Sequence, residues 1–324
     1  MSKILITGGA GLIGSKVTEI LFKNGHNITI LDPFIRYLPT EKIRFPDYLE
    51  RRFTEVEIEK LSFIRGDTSN AGLVQRTIDE LQPDYILHLA GMPLANQSNI
   101  YIEEAIQGIV GGTVNLLQSV ISCKNLKNFV YVSSSMVYGD FDAIPCPEDH
   151  PKRPKDVYGG SKYSGEIMTR VFAQRFNIPC TIVRPSAVYG PYDINRRVIQ
   201  IFIENAIEQK PITLDGGGDL QFDFTYVEDI ANGLASALLH KNAIGEDFNI
   251  TYGKGYSLKE VADELLNYFP KLNVIINDDR DMNRPLRGAL DIQKAKEILD
   301  YNPKFNLKEG INMYVQSYEH PNMK

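Results

Sequence analysis

Tyr158 and Lys162 stand four residues apart in Pro154-Lys-Asp-Val-Tyr158-Gly-Gly-Ser-Lys162, so on a helix they share one face. The pair suits proton transfer. A phenol of ordinary pKa about 10 is a poor base at neutral pH, and a neighbouring ammonium favours its phenolate. Bringing it down by about three pH units asks for about 4 kcal/mol of differential stabilisation. Ser133-Ser134-Ser135, which follow the apolar run Phe129 to Val132, add hydroxyls that could hold the same substrate oxygen. A Tyr-x-x-x-Lys alone is common by chance, so its meaning depends on what the chain builds beside it.

The N-terminal run supplies that neighbour. Lys3-Ile-Leu-Ile-Thr-Gly-Gly-Ala-Gly-Leu-Ile-Gly14 starts with a β-branched apolar stretch, breaks into glycines, and continues with Val17, Ile20 and Leu21 at helical spacing. This places the glycines in a strand-to-helix turn. Gly8 permits the tight turn, Gly11 lets the backbone approach a pyrophosphate, and Gly14 lets helix and strand pack closely. The phosphates then rest on the helix N-terminus. A triphosphate-binding loop is excluded, because Ser15-Lys16 stand in the wrong order after Gly9 and Gly14. Asn27 to Leu31 read as a second strand with Asp32 at its end, the spacing at which an acid accepts hydrogen bonds from an adenosine ribose. Its charge repels a 2′-phosphate, which favours NAD over NADP, although Arg36 leaves the second open. An oxidised nicotinamide beside Tyr158 would favour the phenolate further.

These groups need a sheet to bring them together. Leu61 to Arg65 read as a third strand leading to Gly66-Asp67, where the acid either bonds an adenine amino group or caps a helix starting near Asn70. Tyr85 to Leu89 form a fourth, ending in Ala90-Gly91, with His88 read as structural. Ile100 to Cys123 read as one long helix interrupted by Gly108, Gly111 and Gly112, and Phe129 to Val132 as a fifth strand. Pro33 to Lys60 read as a surface excursion with at most one helix and no assigned role. Alternating strands and helices imply right-handed βαβ units and a parallel sheet, with ligands at the carboxyl ends of its strands. Beyond Ser186 the reading is a helix over Val198 to Gln209, a strand over Pro211 to Leu214, a flexible Asp215 to Asp219 turn, and helices over Ser257 to Phe269 and Asp291 to Asp300. The expected fold is therefore α/β, a Rossmann-like doubly wound parallel sheet with a smaller C-terminal α/β substrate-binding lobe. Residues 1–185 plus about 224–250 would bind NAD, and 186–223 plus about 251–324 would cover the substrate in the cleft between.

Composition narrows the partners. With 35 Lys and Arg against 41 Asp and Glu the net charge is -6, so no global basic field attracts nucleic acid or an anionic membrane. Cys123, Cys146 and Cys180 have no metal-type spacing and fit reduced thiols, and no metal site is expected. The chain shows no leader pattern and no run of 18 apolar residues, so a cytoplasmic location is expected.

Together and in order, Thr7-Gly-Gly-Ala-Gly-Leu-Ile-Gly14, Gly66-Asp67, His88-Leu-Ala90, Ser133-Ser-Ser-Met-Val-Tyr-Gly139, Tyr158-Gly-Gly-Ser-Lys162, Arg184-Pro-Ser-Ala-Val-Tyr-Gly-Pro191 and Asp223-Phe-Thr-Tyr-Val-Glu-Asp229 resemble the extended short-chain dehydrogenase/reductases. More narrowly they resemble the NAD-dependent nucleotide-sugar epimerase/dehydratase branch, from Lys3 to about Gly310. The resemblance implies that Tyr158 is the acid/base, that Lys162 orients the nicotinamide ribose and lowers the Tyr158 pKa, and that Ser134 is the hydroxyl beside the reacting sugar carbon. It implies further cofactor contacts at Gly8, Gly11, Leu12, Ile13, Gly14, Asp32, Asp67, Thr68, Leu89, Ala90 and Pro185, and substrate contacts at Ser134, Ser135 and Ser186. It also implies a homodimer formed through two helices, with Gly108 to Gly112 and the Tyr158 helix as candidates.

Three departures bear on the substrate. The 4,6-dehydratases carry Asp-Glu after their catalytic hydroxyl residue, and here Ser135-Met136 stand there, so dehydration lacks its acid and base. An Asn common before Val-Tyr-Gly-Pro is Ala187, and a phosphate-binding Arg common before Asp-Phe is Phe222. Diphosphate binding would then fall to Arg196 and Arg197, or to Arg280, Arg284 and Arg287. The implied activity is NAD-dependent removal of hydride from a ring carbon, C4, of a nucleoside-diphosphate sugar while Tyr158 takes the hydroxyl proton. An epimerase returns the hydride to the opposite face. A 4-dehydrogenase, a decarboxylase or a reductase on the same scaffold stays open, and in another class a silent NAD-binding regulatory module, against which the intact Ser, Tyr and Lys set argues.

Overall fold

The structure, a computed structural model, describes residues 1–35, 48–54, 56 and 58–319. Arg36, and with it the NADP alternative, lies outside the described residues. Seven strands form the central sheet: β1 (Lys3–Thr7), β2 (Asn27–Asp32), β3 (Ser62–Arg65), β4 (Tyr85–His88), β5 (Asn128–Val132), β6 (Cys180–Pro185) and β7 (Asp247–Ile250). All neighbours pair parallel, in the order β7-β6-β5-β4-β1-β2-β3. The order reverses between β1 and β4, and the crevice outside the carboxyl ends of such strands is where ligands bind in this architecture.

The strand sequences explain their burial. Ile4, Leu5 and Ile6 are all inaccessible to solvent, as befits a parallel strand covered on both faces. Ile4 and Ile6 pack into the core shared with helices Leu12–Lys23 and Val227–Leu239, whereas Leu5 joins the core beneath helices Ala71–Leu81 and Val157–Phe176. Outside the sheet, three two-stranded pairs join Val188–Tyr189 to Thr225–Tyr226, Gln221–Phe222 to Tyr256–Ser257, and Ile212–Asp215 to Val274–Asn277. Buried Asp223 ties these segments, accepting from the backbone N–H groups of Leu290 and Gly253 and from the Thr251 hydroxyl. Among the described residues no helix is long and apolar enough to cross a membrane.

Two expectations need correction. The helix expected over residues 100–123 is instead Ala95–Ile100, Ile102–Ile106, a widened π turn over Gln107–Gly111, and Gly112–Ser119. The glycines allow this close packing: a Cβ on Gly112 would lie 2.3 Å from Thr68 Oγ1. Nor is the stretch before β3 wholly a surface excursion. Its helix Tyr48–Arg52 leaves Tyr48, Arg52 and Phe53 only 4%, 2% and 3% exposed, because Arg52 is bonded into the body of the protein.

The helix bearing Tyr158 and Lys162 is locked one turn further along. Arg184 on β6 and Glu166 are both fully buried and meet in a bidentate pair at 2.8 and 2.7 Å. The remaining Arg184 donors reach the Tyr138 hydroxyl, the Glu148 carbonyl and Asp247. Replacing Arg184 by Met should lower stability by about 3–5 kcal/mol, since it strands the Glu166 carboxylate without its cation. Urea unfolding measures this, and an unchanged midpoint would contradict it.

Candidate active site

The crevice beside β1 is lined by Gly8, Gly11, Leu12, Ile13, Gly14, Asp32, Asp67, Thr68, Leu89 and Ala90, ten of the residues expected to meet the cofactor. Gly8 takes φ +73°, and a Cβ there would lie 2.9 Å from the Ala90 nitrogen. On Gly14 it would lie 2.4 Å from the Gly8 carbonyl oxygen, so the turn closes only with glycine. The Leu12–Lys23 helix starts from Gly11 with no side-chain cap and no acidic residue in its first turn. Its free N–H groups and positive end therefore face the crevice, a fit for a dinucleotide pyrophosphate.

Asp32 Oδ2 accepts from the Ala10 N–H at 3.0 Å and Oδ1 from the Phe34 N–H at 2.8 Å. Burial pushes its carboxyl up, while these bonds and the Arg52 charge pull it back. Each oxygen keeps lone-pair capacity for a ribose hydroxyl. The two readings of Asp67 separate: the helix cap is Asn70, which accepts from the Leu73 N–H at 3.0 Å, and Asp67 instead accepts from the Ser69 N–H while lining the crevice. His88 is structural as read, buried and hydrogen-bonded to the Thr7 and Thr113 hydroxyls at 2.7 and 3.0 Å. Burial and the Lys162 charge pull it down to about 3. Pro185 ends β6 outside this lining.

Asp156 caps the Tyr158 helix, accepting from the Gly159 N–H at 2.7 Å. Ser134, at the end of β5, starts a short turn with its Oγ accepting from the Met136 N–H. Burial raises the Tyr158 pKa, opposed first by the charge of Arg197 and then by hydrogen bonding with Ser134. The buried Lys162 ammonium donates to the Val132 carbonyl at 2.9 Å, and burial pulls it down to about 8.

The arginines divide. Arg287 reaches the serines, with Nη1 3.5 Å from Ser135 Oγ, whose hydroxyl is 3.0 Å from that of Ser186. Its guanidinium lies 5.1 Å over the Phe222 ring, so the phenylalanine that replaces an expected arginine supports one arriving from elsewhere in the chain. Nε of Arg287 and Nε of Arg280 are buried with no hydrogen-bond partner among the described residues. Arg197 pairs with Asp193 at 2.6 Å and lines the crevice beside β1. Arg196 is instead engaged by buried Glu204 at 2.7 Å, and Arg284 is a largely exposed residue beside Asp281. Ala187 holds φ +37°, a left-handed conformation that Asn adopts more readily than Ala. Sequence reading missed Phe34, Tyr48, Arg52, Met92, Gln107 and Asn195 as lining residues.

The sequence profile of the NAD dependent epimerase/dehydratase family matches residues 4–251. The chain belongs to this family. NAD is therefore its cofactor, and the epimerase/dehydratase fold is that of an extended short-chain dehydrogenase/reductase. An uncharacterized UDP-glucose epimerase of Bacillus subtilis is 32% identical over 320 residues, 95% of each chain. A dTDP-glucose 4,6-dehydratase of Shigella flexneri is 27% identical over 345 residues, 98% of this chain and 92% of that one. The UDP-glucuronic acid 4-epimerase of Bacillus cereus, solved with UDP-glucuronic acid and NAD, superposes with a TM-score of 0.88 at 29% identity, covering 98% and 99% of the two chains.

Asp32→Ala should weaken NAD binding by about tenfold or more, through loss of a charge-assisted hydrogen bond to ribose, and should narrow the preference over NADP. Calorimetric titration with both dinucleotides measures the two effects, and an unchanged preference would refute the assignment.

Proposed function

We propose that the protein is a nucleotide-sugar 4-epimerase in which Tyr158, Ser134 and Lys162 are the catalytic residues. The observation that carries this reading is the packing of the Tyr158 helix on the turn that Ser134 opens after β5: a Cβ on Gly159 would lie 2.7 Å from the Met136 carbonyl oxygen, and Lys162 Nζ donates to the Val132 carbonyl at 2.9 Å. Bound NAD would supply reversible hydride acceptance at the sugar carbon. Tyr158 takes the proton of the C4 hydroxyl and returns it after the hydride has come back to the other face, while Ser134 holds the oxygen in line. Burial raises the phenol pKa and the Arg197 charge opposes this; the oxidised nicotinamide would add to that opposition and favour the phenolate that accepts the proton.

The unpartnered buried Nε groups of Arg287 and Arg280 support a subsite for the sugar diphosphate there, with Ser135 and Ser186 beside it. In this reading residues 1–185 and about 224–250 hold the dinucleotide, and 186–223 with about 251–324 hold the sugar nucleotide. Epimerisation is favoured over dehydration because Ser135-Met136 follow Ser134 and place no carboxylate there. It also accords with the similarity to a UDP-glucose epimerase and a UDP-glucuronic acid 4-epimerase. We also propose a homodimer. Ile102 and Ile106 on one helix and Ile167 and Val171 on the neighbouring Tyr158 helix are each 44–49% exposed, at i and i+4 spacing that gives each pair one apolar face.

A panel of UDP- and dTDP-sugars, analysed by mass and NMR, tests the activity. An isomer of unchanged mass is expected; loss of two hydrogens would indicate a dehydrogenase, loss of water a dehydratase, and silence throughout a binding module. Tyr158→Phe should lower kcat at least about 100-fold, the scale of a positioned acid/base, and normal turnover would refute its role. Ile167→Lys with Val171→Lys should convert the protein to a monomer in sedimentation velocity, and an unchanged dimer would place the interface elsewhere.

A further inference from the structure

Two guanidinium groups that line the crevice, those of Arg52 and Arg197, have one buried carboxylate near them, and only Arg197 is bonded to it. Arg197 donates to Asp193 Oδ2 at 2.6 Å, and Asp193 is also the foremost negative charge acting on Arg52. Arg52 itself is 2% exposed and touches no carboxylate among the described residues. Its Nε and Nη2 donate to the Tyr192 carbonyl at 3.1 and 2.6 Å, its Nη1 donates to the Ala10 carbonyl at 2.8 Å, and its Cζ sits 4.6 Å over the Tyr48 ring. These contacts use three of five N–H groups and fix the fork against neutral partners. Burial of a cation without a directly bonded anion is costly, and here it pulls Arg52 down to about 10. Both arginines line the crevice together with Gly11, Leu12 and Ile13, whose helix end also demands negative charge.

We propose that Arg52 is a pyrophosphate ligand of the dinucleotide, its two remaining N–H groups meeting the phosphates while its carbonyl bonds tie the glycine turn to the Tyr192 loop. This rests on the reading that the crevice holds NAD. Phosphate is the matching chemistry because it accepts forked hydrogen bonds, satisfies the helix N-terminus and neutralises the charge that one carboxylate leaves on the two arginines. The arginine thereby closes the cofactor between two separate segments of chain.

The test is calorimetric titration of cofactor-stripped protein with ADP-ribose, which carries the pyrophosphate, and with adenosine, which lacks it. Arg52→Met should weaken ADP-ribose by about 10- to 100-fold, the scale of hydrogen bonds to a charged group, and leave adenosine within about twofold. The affinity of wild type for ADP-ribose should also fall more steeply with salt than that of the variant. Equal ADP-ribose affinity in wild type and variant, or equal losses for both compounds, would overturn the proposal, the second by showing that Arg52 merely shapes the turn. Should Arg52→Met fail to fold, Arg52→Gln is read by the same criteria. Wild-type protein that binds neither compound would overturn the NAD reading of the crevice and this proposal with it.

Discussion

The parallel pairing of Thr7 with His88, at the ends of β1 and β4, sits where the strand order reverses, and it positions both walls of the crevice. Any parallel sheet with this order opens a gap between these two strand ends. Here the backbone ladder of β1 and β4 runs to Thr7 and His88, and their side chains add a second link through a neutral imidazole, itself anchored to Thr113 beyond the π turn. Because His88 stays uncharged far below neutral pH, the joint does not respond to physiological acidification. The glycine turn leaves β1 directly after Thr7, and Ala90 lies two residues beyond His88, so both walls of the crevice inherit their position from this contact.

What could be read from the chain alone follows from range. The central strands and the glycine turn are encoded by residues adjacent in sequence: the continuous apolar run Ile4 to Ile6, the glycines after it, and an acid at the end of β2. Arg52 was illegible because its meaning lies in a carbonyl 140 positions away, and nothing in Tyr48–Arg52 announces burial. The π turn was likewise hidden. Glycines at Gly108, Gly111 and Gly112 showed that the helix was interrupted, but Thr68, which requires the close approach, comes from a different segment. Phe222 was visible as a departure from the family pattern, and only the fold shows Arg287 resting on its ring.

Charge is handled differently at the two ends of the site. Around Tyr158 helix, Arg184 and Glu166 are fully compensated, every guanidinium donor has a partner, and the result is rigidity. On the ligand-facing side, Arg52 donates only to neutral carbonyls among the described residues, and Arg280 and Arg287 each keep a buried Nε without a partner there. A chain with net charge -6 thus concentrates uncompensated positive charge in the places where phosphates are expected to lie.

The backbone at Ala10 has a consequence for how this protein could evolve. Its N–H points to Asp32 and its C=O to Arg52, so one residue of the glycine turn is strung between an acid and a base. The carboxylate that would discriminate between dinucleotides is thereby also part of the scaffold that shapes the turn. Selectivity and architecture are encoded in the same atoms, and a lineage changing its cofactor would have to acquire a second substitution to hold Ala10 before, or together with, the loss of Asp32.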